Sequence, residues 1–151
     1  MAGPLTGVTV VDLSPVVPGP LTGAVLADLG ADVIKVEKLE GDIQRNVGSR
    51  RNEFSGSFHV LNRGKRSIAL DLKDPAVMPV LQGLVARADV LIQNFRPGVV
   101  QRLGLGFEAM LRLNPRLIYL SISGFGPDGP EAGKRAYDPI IQAYSAMVSV
   151  Q

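Results

Sequence analysis

The segment that most constrains the fold is 89–102, with the sequence DVLIQNFRPGVVQR. Residues 90–93 predict a short buried strand, the loop 94–98 ends it, and a helical pattern follows. Pro97 suits the first helical turn, because its missing N–H would be unpaired there in any case. Ligands of open α/β sheets bind where a strand ends and a helix begins, and phosphate is favoured there. We therefore predict a phosphate site in this loop, with an ordinary structural loop as the alternative.

Strand-like and helix-like patterns alternate along the rest of the chain. The predicted strands are 7–13, 31–37, 67–71, 89–93 and 117–123. The predicted helices are 21–29, 75–85, 97–103, 107–113 and 139–150. Strands joined by crossover helices are parallel neighbours. We predict an α/β fold, namely a doubly wound, mostly parallel Rossmann-like sheet with helices on both faces, in one domain over 1–151.

Local signals predict several details of these elements. The prolines at 15, 18 and 20 predict that the first helix begins no earlier than about Gly19, and Gly30 is its expected stop. Segment 39–59 is polar and irregular, so we predict a long surface excursion that is functional or covered by a partner. Segment 117–123 is almost free of polar residues, which predicts a strand covered on both faces.

Composition and charge narrow the function classes. The net charge of +2 is small, and the cations fall in local pairs such as Lys134 and Arg135. This pattern favours a polyanionic small molecule over nucleic acid. The absence of cysteine excludes disulfides and a thiolate nucleophile, and it fits a reducing cytoplasm. No apolar run approaches the roughly 18 residues of a membrane span, so we expect a soluble protein with no membrane partner.

Acid–base chemistry has one local candidate, at 134–138. His59 is the only histidine and no G-x-S-x-G elbow occurs, so neither a metal site nor a histidine triad is predicted. Segment 134–138 instead sets the carboxylate of Asp138 beside two cations and the phenol of Tyr137. Pro139 opens the last helix, so Asp138 is predicted to be its N-cap. Capping alone is the alternative to a catalytic function.

Two glycine-rich segments imitate a dinucleotide-binding fingerprint. Segment 104–109, GLGFEA, follows a helix rather than a strand, so its context is wrong. Segment 124–129, GFGPDG, follows a strand, but Pro127 and Pro130 remove N–H groups that a pyrophosphate would need. We expect no NAD and keep a NAD-binding domain as a remote alternative. Segment 124–133 is better explained as a mobile loop able to cover a ligand.

Four separated blocks carry a resemblance that extends along essentially the whole chain. They are LADLGADVIKVE at 26–37, NRGKRSIALDLKDP at 62–75, DVLIQNFRPGVVQRLGLGFE at 89–108 and NPRLIYLSISGFGPDGP at 114–130. Together these blocks resemble the N-terminal portion of the family III CoA-transferases. That family includes carnitine CoA-transferase, formyl-CoA transferase and α-methylacyl-CoA racemase. Four blocks in the right order are far more specific than any single motif.

The resemblance implies a coenzyme A site on this Rossmann-like part. Residues at the family's CoA-contacting positions are Val16, Val17, Lys38, Leu70, Lys73, Asn94, Phe95, Arg102, Arg135 and Tyr137. CoA carries a 3′-phosphate and a pyrophosphate, and the expected anion partners are Lys38, Lys73, Arg96 and Arg102. Phe95 and the apolar turn at Val16 and Val17 are expected to hold adenine or the pantetheine arm. Pro15 stands where the family often has a polar residue, so backbone and shape contacts are expected there.

The resemblance also implies the chemistry, in which an aspartate attacks the acyl-CoA thioester and later carries CoA as a thioester. By the resemblance, that aspartate corresponds to a position beyond Gln151, and Asp138 is a neighbouring active-site acid. The racemase branch has a histidine where this chain has Tyr137, which favours CoA transfer to a carboxylic acid over racemisation. The family's interlocked homodimers and greater length lead us to expect an N-terminal fragment without the small domain and C-terminal segment. A non-catalytic CoA-binding module and a racemase-like enzyme are the alternatives.

Overall fold

A five-stranded parallel sheet forms the centre of the computed structural model, which describes residues 3–51 and 54–150. A separate two-stranded antiparallel hairpin lies in segment 39–59. The strands are β1 (Thr9–Asp12), β2 (Asp32–Glu37), β3 (Arg50–Arg51), β4 (Phe54–Ser55), β5 (Arg66–Ala69), β6 (Val90–Gln93) and β7 (Ile118–Ser121). The sheet order is β5-β2-β1-β6-β7, with every neighbouring pair parallel. The predicted doubly wound parallel sheet is therefore confirmed.

Helices cover both faces of this sheet, as predicted. They are α1 (Pro18–Asp28), α2 (Gly56–Asn62), α3 (Met78–Val85), α4 (Val99–Arg102), α5 (Phe107–Leu113) and α6 (Asp138–Tyr144). Short 3₁₀ turns add Ile43–Asn46, Pro75–Val77 and Met147–Val150. Successive side chains of β1 point to opposite faces, so Val10 joins the core that includes Leu26 of α1, whereas Val11 joins the core of α3 and α5. Alternation along the central strand thus divides the apolar core into two layers.

The ends of most elements follow the sequence signals. The first helix begins at Pro18, one residue before the expected limit, because a proline needs no N–H partner in the first turn. Gly30 follows that helix with φ 101°, as its predicted stop. The Asp74 carboxylate accepts a hydrogen bond from the backbone N–H of Ala76 at 2.9 Å, which confirms the predicted cap.

Segment 39–59 is more ordered than predicted. It contains a 3₁₀ turn, the β3–β4 hairpin and the start of α2, a helix that the sequence patterns did not indicate. The Ser55 hydroxyl caps α2 by accepting from the backbone N–H of Phe58 at 3.0 Å. Asn52 and Glu53 lie outside the described residues. The excursion is therefore a small structured unit beside the sheet.

Three expectations for the second half of the chain are wrong. β7 is an edge strand and Ile118 is 65% exposed, so this strand is not covered on both faces. The last helix ends at Tyr144, because Ala146 takes φ 59° and a 3₁₀ turn follows it. Pro97 precedes α4 rather than opening it, since Gly98 adopts φ 83° and the helix begins at Val99. A glycine in the left-handed region delays the helix by two residues.

Candidate functional site

A cavity of about 530 Å³ lies beyond the carboxyl ends of β1, β2, β5 and β6. Most of its walls are apolar, with side chains from Leu13, Val36, Leu70, Leu72, Phe95, Val99 and Leu103. The chain runs from β1 outward to β2 and β5 and then returns to β6 on the other side of β1. The cavity spans this reversal, which is where ligands of open α/β sheets bind. The fold therefore offers a ligand-sized cleft at the position expected from the topology.

Five of the predicted site residues lie around this cleft: Lys38, Leu70, Lys73, Phe95 and Arg102. The Lys38 ammonium lies 3.9 Å from the Glu40 carboxylate, and both side chains are well exposed. Within the described chain, Lys73 and Arg102 form no ion pair. An Arg102 guanidinium nitrogen lies 3.3 Å from where a Cβ on Gly98 would be, so the side chain folds back over the loop after β6. Three cations are thus available to an anion at a mostly apolar cleft.

The remaining predicted residues do not line the cleft: Val16, Val17, Asn94, Arg96, Arg135, Tyr137 and Asp138. Val16 and Val17 are each 42% exposed on the turn before α1. The Asn94 amide donates to the Pro15 carbonyl oxygen at 2.8 Å, which joins the loop after β6 to that turn. Arg96 donates to the Tyr137 hydroxyl at 3.5 Å. Asn94 therefore connects the turn to the cleft's border, whereas Arg135 and Asp138 remain exposed.

Asp138 is not the N-cap of α6, contrary to the prediction. Tyr137 occupies the N-cap position with φ −126° and ψ 153°, and Asp138 is the first helical residue. The Asp138 carboxylate instead accepts from the side-chain amide of Gln142 at 2.5 Å, one turn along the same helix. The helix begins one residue earlier than expected, so the carboxylate points along the helix side rather than at free N–H groups. Its exposure leaves it accessible to a ligand.

The carboxyl ends of β1 and β2 hold a buried charge network, defined as Asp12, Lys35, Glu37, Asp42, Arg45 and Lys65. Asp12 and Lys65 pair at 2.8 Å, with at most 1% of either side chain exposed. The Lys65 ammonium also donates to the Pro20 carbonyl oxygen at 2.8 Å and to the Asn62 side chain at 3.0 Å. Burial lowers the pKa of Lys65, and the attraction of Asp12 only partly offsets this effect. The pair ties β1, α1 and α2 together.

A second buried pair of this network joins Lys35 and Asp42 at 2.9 Å, with 2% of each side chain exposed. Lys35 also donates to the Ser14 carbonyl oxygen at 2.9 Å. Asp42 accepts from the backbone N–H groups of Val16 at 3.4 Å and Gln44 at 2.9 Å. The pair therefore contacts the turn after β1 at two successive peptide units, and both side chains line the cleft.

Glu37 is another buried carboxylate of the network, and its pKa is strongly lowered. It accepts from Arg45 at 2.7 and 2.8 Å, from the Ser67 hydroxyl at 2.6 Å and from the Asp42 N–H at 2.9 Å. Burial raises the pKa of Glu37, but these hydrogen bonds outweigh it and hold the pKa at about 2 instead of 4.5. The Arg45 guanidinium also stacks 3.8 Å from the ring centre of Phe58. The contact of Arg45 with Glu37 therefore anchors segment 39–59 to β2.

The turn between β1 and α1 is strained. Val16 has φ 71°, a left-handed conformation that costs a non-glycine residue about 1–2 kcal/mol. The Ser14 backbone N–H and hydroxyl both donate to Asp12, so these hydrogen bonds hold the first residue of the turn. Such a conformation persists only where the surroundings over-determine it. Asp12, Lys35, Asp42 and Asn94 supply those surroundings.

Two glycines let α1 approach this turn and the buried charges. A Cβ at Gly19 would lie 2.1 Å from the Ser14 hydroxyl oxygen. A Cβ at Gly23 would lie 3.0 Å from both the Asp12 carboxylate and the Lys65 ammonium. Both glycines have ordinary helical backbone, so space rather than conformation requires them. The small residues of α1 therefore belong to the construction of the site.

The sequence profile of CoA-transferase family III matches residues 5–151. The chain belongs to CoA-transferase family III. The predicted family resemblance is thereby confirmed, over nearly all of the chain.

Similar curated relatives share this family. The chain is 47% identical over 147 residues to acetyl-CoA:oxalate CoA-transferase of Acetobacter aceti. It is 44% identical over 155 residues to succinate–glutarate CoA-transferase of Agrobacterium fabrum. Each match covers 97% of this chain but only 38% or 39% of the relative. The chain thus spans less than two fifths of the length of these relatives.

A similar solved structure supports the fold independently. A CAIB/BAIF family protein from Brucella suis superposes with a TM-score of 0.91 at 44% sequence identity. The superposition covers 95% of this chain and 39% of that protein. The fold of that protein therefore includes the arrangement of strands and helices described here.

Sequence reasoning missed the buried charge network of this family III chain, although one signal was present. Lys35 and Glu37 alternate with apolar residues in a strand predicted to belong to a parallel sheet. Charges in such a strand are buried, and buried charges require partners. Asp42 and Lys65 could not be assigned as partners, because the sequence does not show how the chain folds back onto β2.

Within residues 3–51 and 54–150, no helix has the length and apolar character needed to cross a bilayer. No group of three or more histidine or acidic side chains is arranged to hold a metal ion in this part of the chain. His59 is exposed on α2.

Proposed function

We propose that this chain supplies the CoA-binding part of a CoA-transferase, which moves CoA from an acyl-CoA to an acceptor carboxylate. The observation that carries the proposal is the apolar cleft at the carboxyl ends of the strands, with Lys38, Lys73 and Arg102 around it. Family membership over residues 5–151 supports the same assignment. The chemistry of CoA matches both features of this cleft.

The phosphates of CoA would contact the cleft's cations. A polyanion prefers cations that are not already neutralised, and Lys73 and Arg102 form no ion pair within the described chain. The guanidinium of Arg102 is suited to a bidentate phosphate contact, whereas Lys73 offers a point charge. Phe95 and the apolar wall would hold adenine or the pantetheine arm. Arg96, Arg135 and the turn at Val16 and Val17 are proposed as outer contacts.

The proposed reaction proceeds through covalent intermediates on an aspartate. The carboxylate attacks the thioester carbonyl and expels CoA thiolate, which leaves a mixed anhydride. The thiolate then attacks the aspartyl carbonyl and releases the donor acid, so that CoA becomes an aspartyl thioester. The acceptor carboxylate attacks this thioester, and the returning thiolate takes the acceptor acyl group and frees the aspartate. We assign the nucleophile to no residue of 1–151, and give Asp138 and Tyr137 supporting positions beside the reacting groups.

Binding of CoA tests the first half of the proposal by isothermal titration calorimetry. Arg102→Ala should weaken CoA binding by about 1.5–3 kcal/mol, because a charge-assisted phosphate contact is lost. The loss should shrink as salt is raised, since added ions screen the same contact. Arg112→Ala is the matched control, because Arg112 is exposed on α5 and does not line the cleft. Unchanged affinity in Arg102→Ala would remove that residue from the site, and no heat with the wild-type chain would overturn CoA binding.

Turnover tests the second half. Acetyl-CoA with oxalate and succinyl-CoA with glutarate are the first pairs to assay, because similar relatives are named for these acids. CoA binding without transfer to either acid, in the chain joined to the rest of its family fold, would favour a non-catalytic binding module. The proposal also includes a cytoplasmic location. It further includes a homodimer or an association with a C-terminal part, and sedimentation velocity would test this assembly.

A further inference from the structure

The turn after β1 is held at two successive peptide units by three side chains from other parts of the chain. The Ser14 carbonyl oxygen accepts from Lys35, the Pro15 carbonyl oxygen accepts from Asn94, and the Val16 N–H donates to Asp42. These contacts come from β2, from the loop after β6 and from the 3₁₀ turn that Asp42 caps. Three separate parts of the fold therefore converge on three residues of backbone.

Lys35 and Asp42 differ from the other buried charges in where their second contacts go. Each pairs with the other at 2.9 Å, and each then contacts the backbone next to Val16, the residue with φ 71°. Glu37, two residues along the same strand, is equally buried, but its contacts go to Arg45, Ser67 and Asp42. A buried ion pair by itself often adds no net stability. The contacts to the turn give this pair a function that Glu37 does not share.

We propose that Lys35 and Asp42 are positioning residues, which hold the turn 14–17 in its strained form so that its backbone meets the ligand of the cleft. The assignment rests on the proposed function, since that ligand is CoA. Ser14 and Pro15 line the cleft together with both members of the pair. Loss of either anchor frees Val16 to return to an extended conformation, which moves the turn without opening the apolar core.

Three variants distinguish positioning of the turn 14–17 by Lys35 and Asp42 from mutual neutralisation of the two charges. Lys35→Met removes the donor to Ser14 and leaves Asp42 buried without its counter-charge. Asp42→Asn keeps an oxygen for the Val16 N–H but leaves Lys35 uncompensated. The double variant Lys35→Met/Asp42→Asn contains no unbalanced charge, so its stability should recover relative to Lys35→Met. Its turn still lacks the Ser14 contact, so we expect its CoA affinity to remain at least tenfold below that of the wild-type chain.

Two measurements decide the matter in the 151-residue chain. Calorimetry with CoA should show the tenfold loss in Lys35→Met and in the double variant. Amide hydrogen exchange should show the Val16 N–H exchanging at least tenfold faster in both, while amides of β1 and β6 keep their protection. Val85→Ala is the control, because Val85 is a buried core residue of α3 that does not line the cleft. It should leave CoA affinity and Val16 exchange unchanged.

Each outcome bears on a different claim. A double variant that regains both stability and wild-type affinity would show that the pair only balances charge, which overturns the assignment. Unchanged Val16 exchange in Lys35→Met would overturn it as well, without any reference to CoA. A wild-type chain that binds no CoA overturns the proposed function and the assignment together. Wild-type binding with normal affinity in Lys35→Met overturns the assignment alone.

Discussion

The first and last parts of the chain are held in different ways. Around β1 and β2, charged side chains are buried in pairs at 2.8 and 2.9 Å and reach backbone groups of neighbouring elements. After Leu117, by contrast, none of the described residues is buried. β7 still pairs with β6, but beyond Ile122 the contacts of the described residues are mostly local, such as the edge-to-face packing of Phe125 and Tyr144 at 5.3 Å between ring centres.

This difference separates two kinds of site residue. Those around the cleft, such as Phe95 and Lys38, are positioned by strands whose neighbours are fixed by the core and the buried charge network. Tyr137 and Asp138 lie on an exposed segment, and Tyr137 contacts Arg96 at 3.5 Å. The geometry of the cleft is thus built into residues 3–117, whereas the position of Tyr137 and Asp138 depends on weak contacts.

The largest effect that could break this comparison is expected at Asp12. Asp12→Ala leaves the Lys65 ammonium buried without its counter-charge, so the free energy of unfolding should fall by about 3–5 kcal/mol. Urea unfolding measures this loss. Asp28→Ala is the matched control, because Asp28 pairs with Arg63 on the exposed surface, and it should leave the unfolding midpoint almost unchanged. Similar unfolding midpoints for both variants would contradict a larger stabilising effect of the buried Asp12–Lys65 pair.

The next largest effect is a loss of stability at low pH, which we attribute to Glu37. The pKa of Glu37 is about 2 in the folded chain and about 4.5 in the unfolded chain, so the folded state binds fewer protons between these values. This contribution is complete above pH 4.5 and is lost as the pH falls towards 2. It amounts to as much as about 3 kcal/mol in the free energy of unfolding.

A pH series of urea unfolding in wild type and Glu37→Gln measures this contribution. The wild-type chain should lose stability more steeply than the variant below pH 4.5. Parallel curves for the two proteins would show that Glu37 is not the group responsible.

The smallest effect is expected in the last segment. Tyr144→Ala removes the ring contact with Phe125 and the hydrogen bond that the hydroxyl accepts from Lys134 at 3.0 Å. Because Tyr144 is 60% exposed, the free energy of unfolding should fall by less than about 1.5 kcal/mol. Amide exchange of α6 should quicken while that of β1 stays slow. A loss as large as that of Asp12→Ala would show that both parts unfold as one cooperative unit.

Sequence patterns predicted the sheet well, because apolar strands and crossover helices leave few topologies. They failed where a local conformation overrode periodicity, as at Gly98 and Ala146, whose positive φ values shift or end helices. They also failed for 117–123, since an apolar strand can lie at a sheet edge as well as inside. The helix at Gly56–Asn62 was missed because its short apolar pattern lies in a polar region.

The candidate site was predicted in part for a similar reason. Residues such as Phe95 and Lys73 follow strands directly, and the topology then brings strand ends to one edge of the sheet. Their contact with CoA remains a prediction. The pairing of Lys35 with Asp42 depends on how segment 39–59 folds back over β2, which no local pattern shows.

The two close-fitting glycines of α1 have a consequence for any mutational survey of this chain. Helical positions normally tolerate alanine well, and alanine would favour the helix over glycine. At Gly19 the added methyl group would lie 2.1 Å from the Ser14 hydroxyl oxygen, and at Gly23 it would lie 3.0 Å from the paired Asp12 and Lys65, which would have to shift to make room. A saturation library scored for CoA binding should therefore show lower tolerance at these two positions, and lowest at Gly19, than at the outward positions of the same helix.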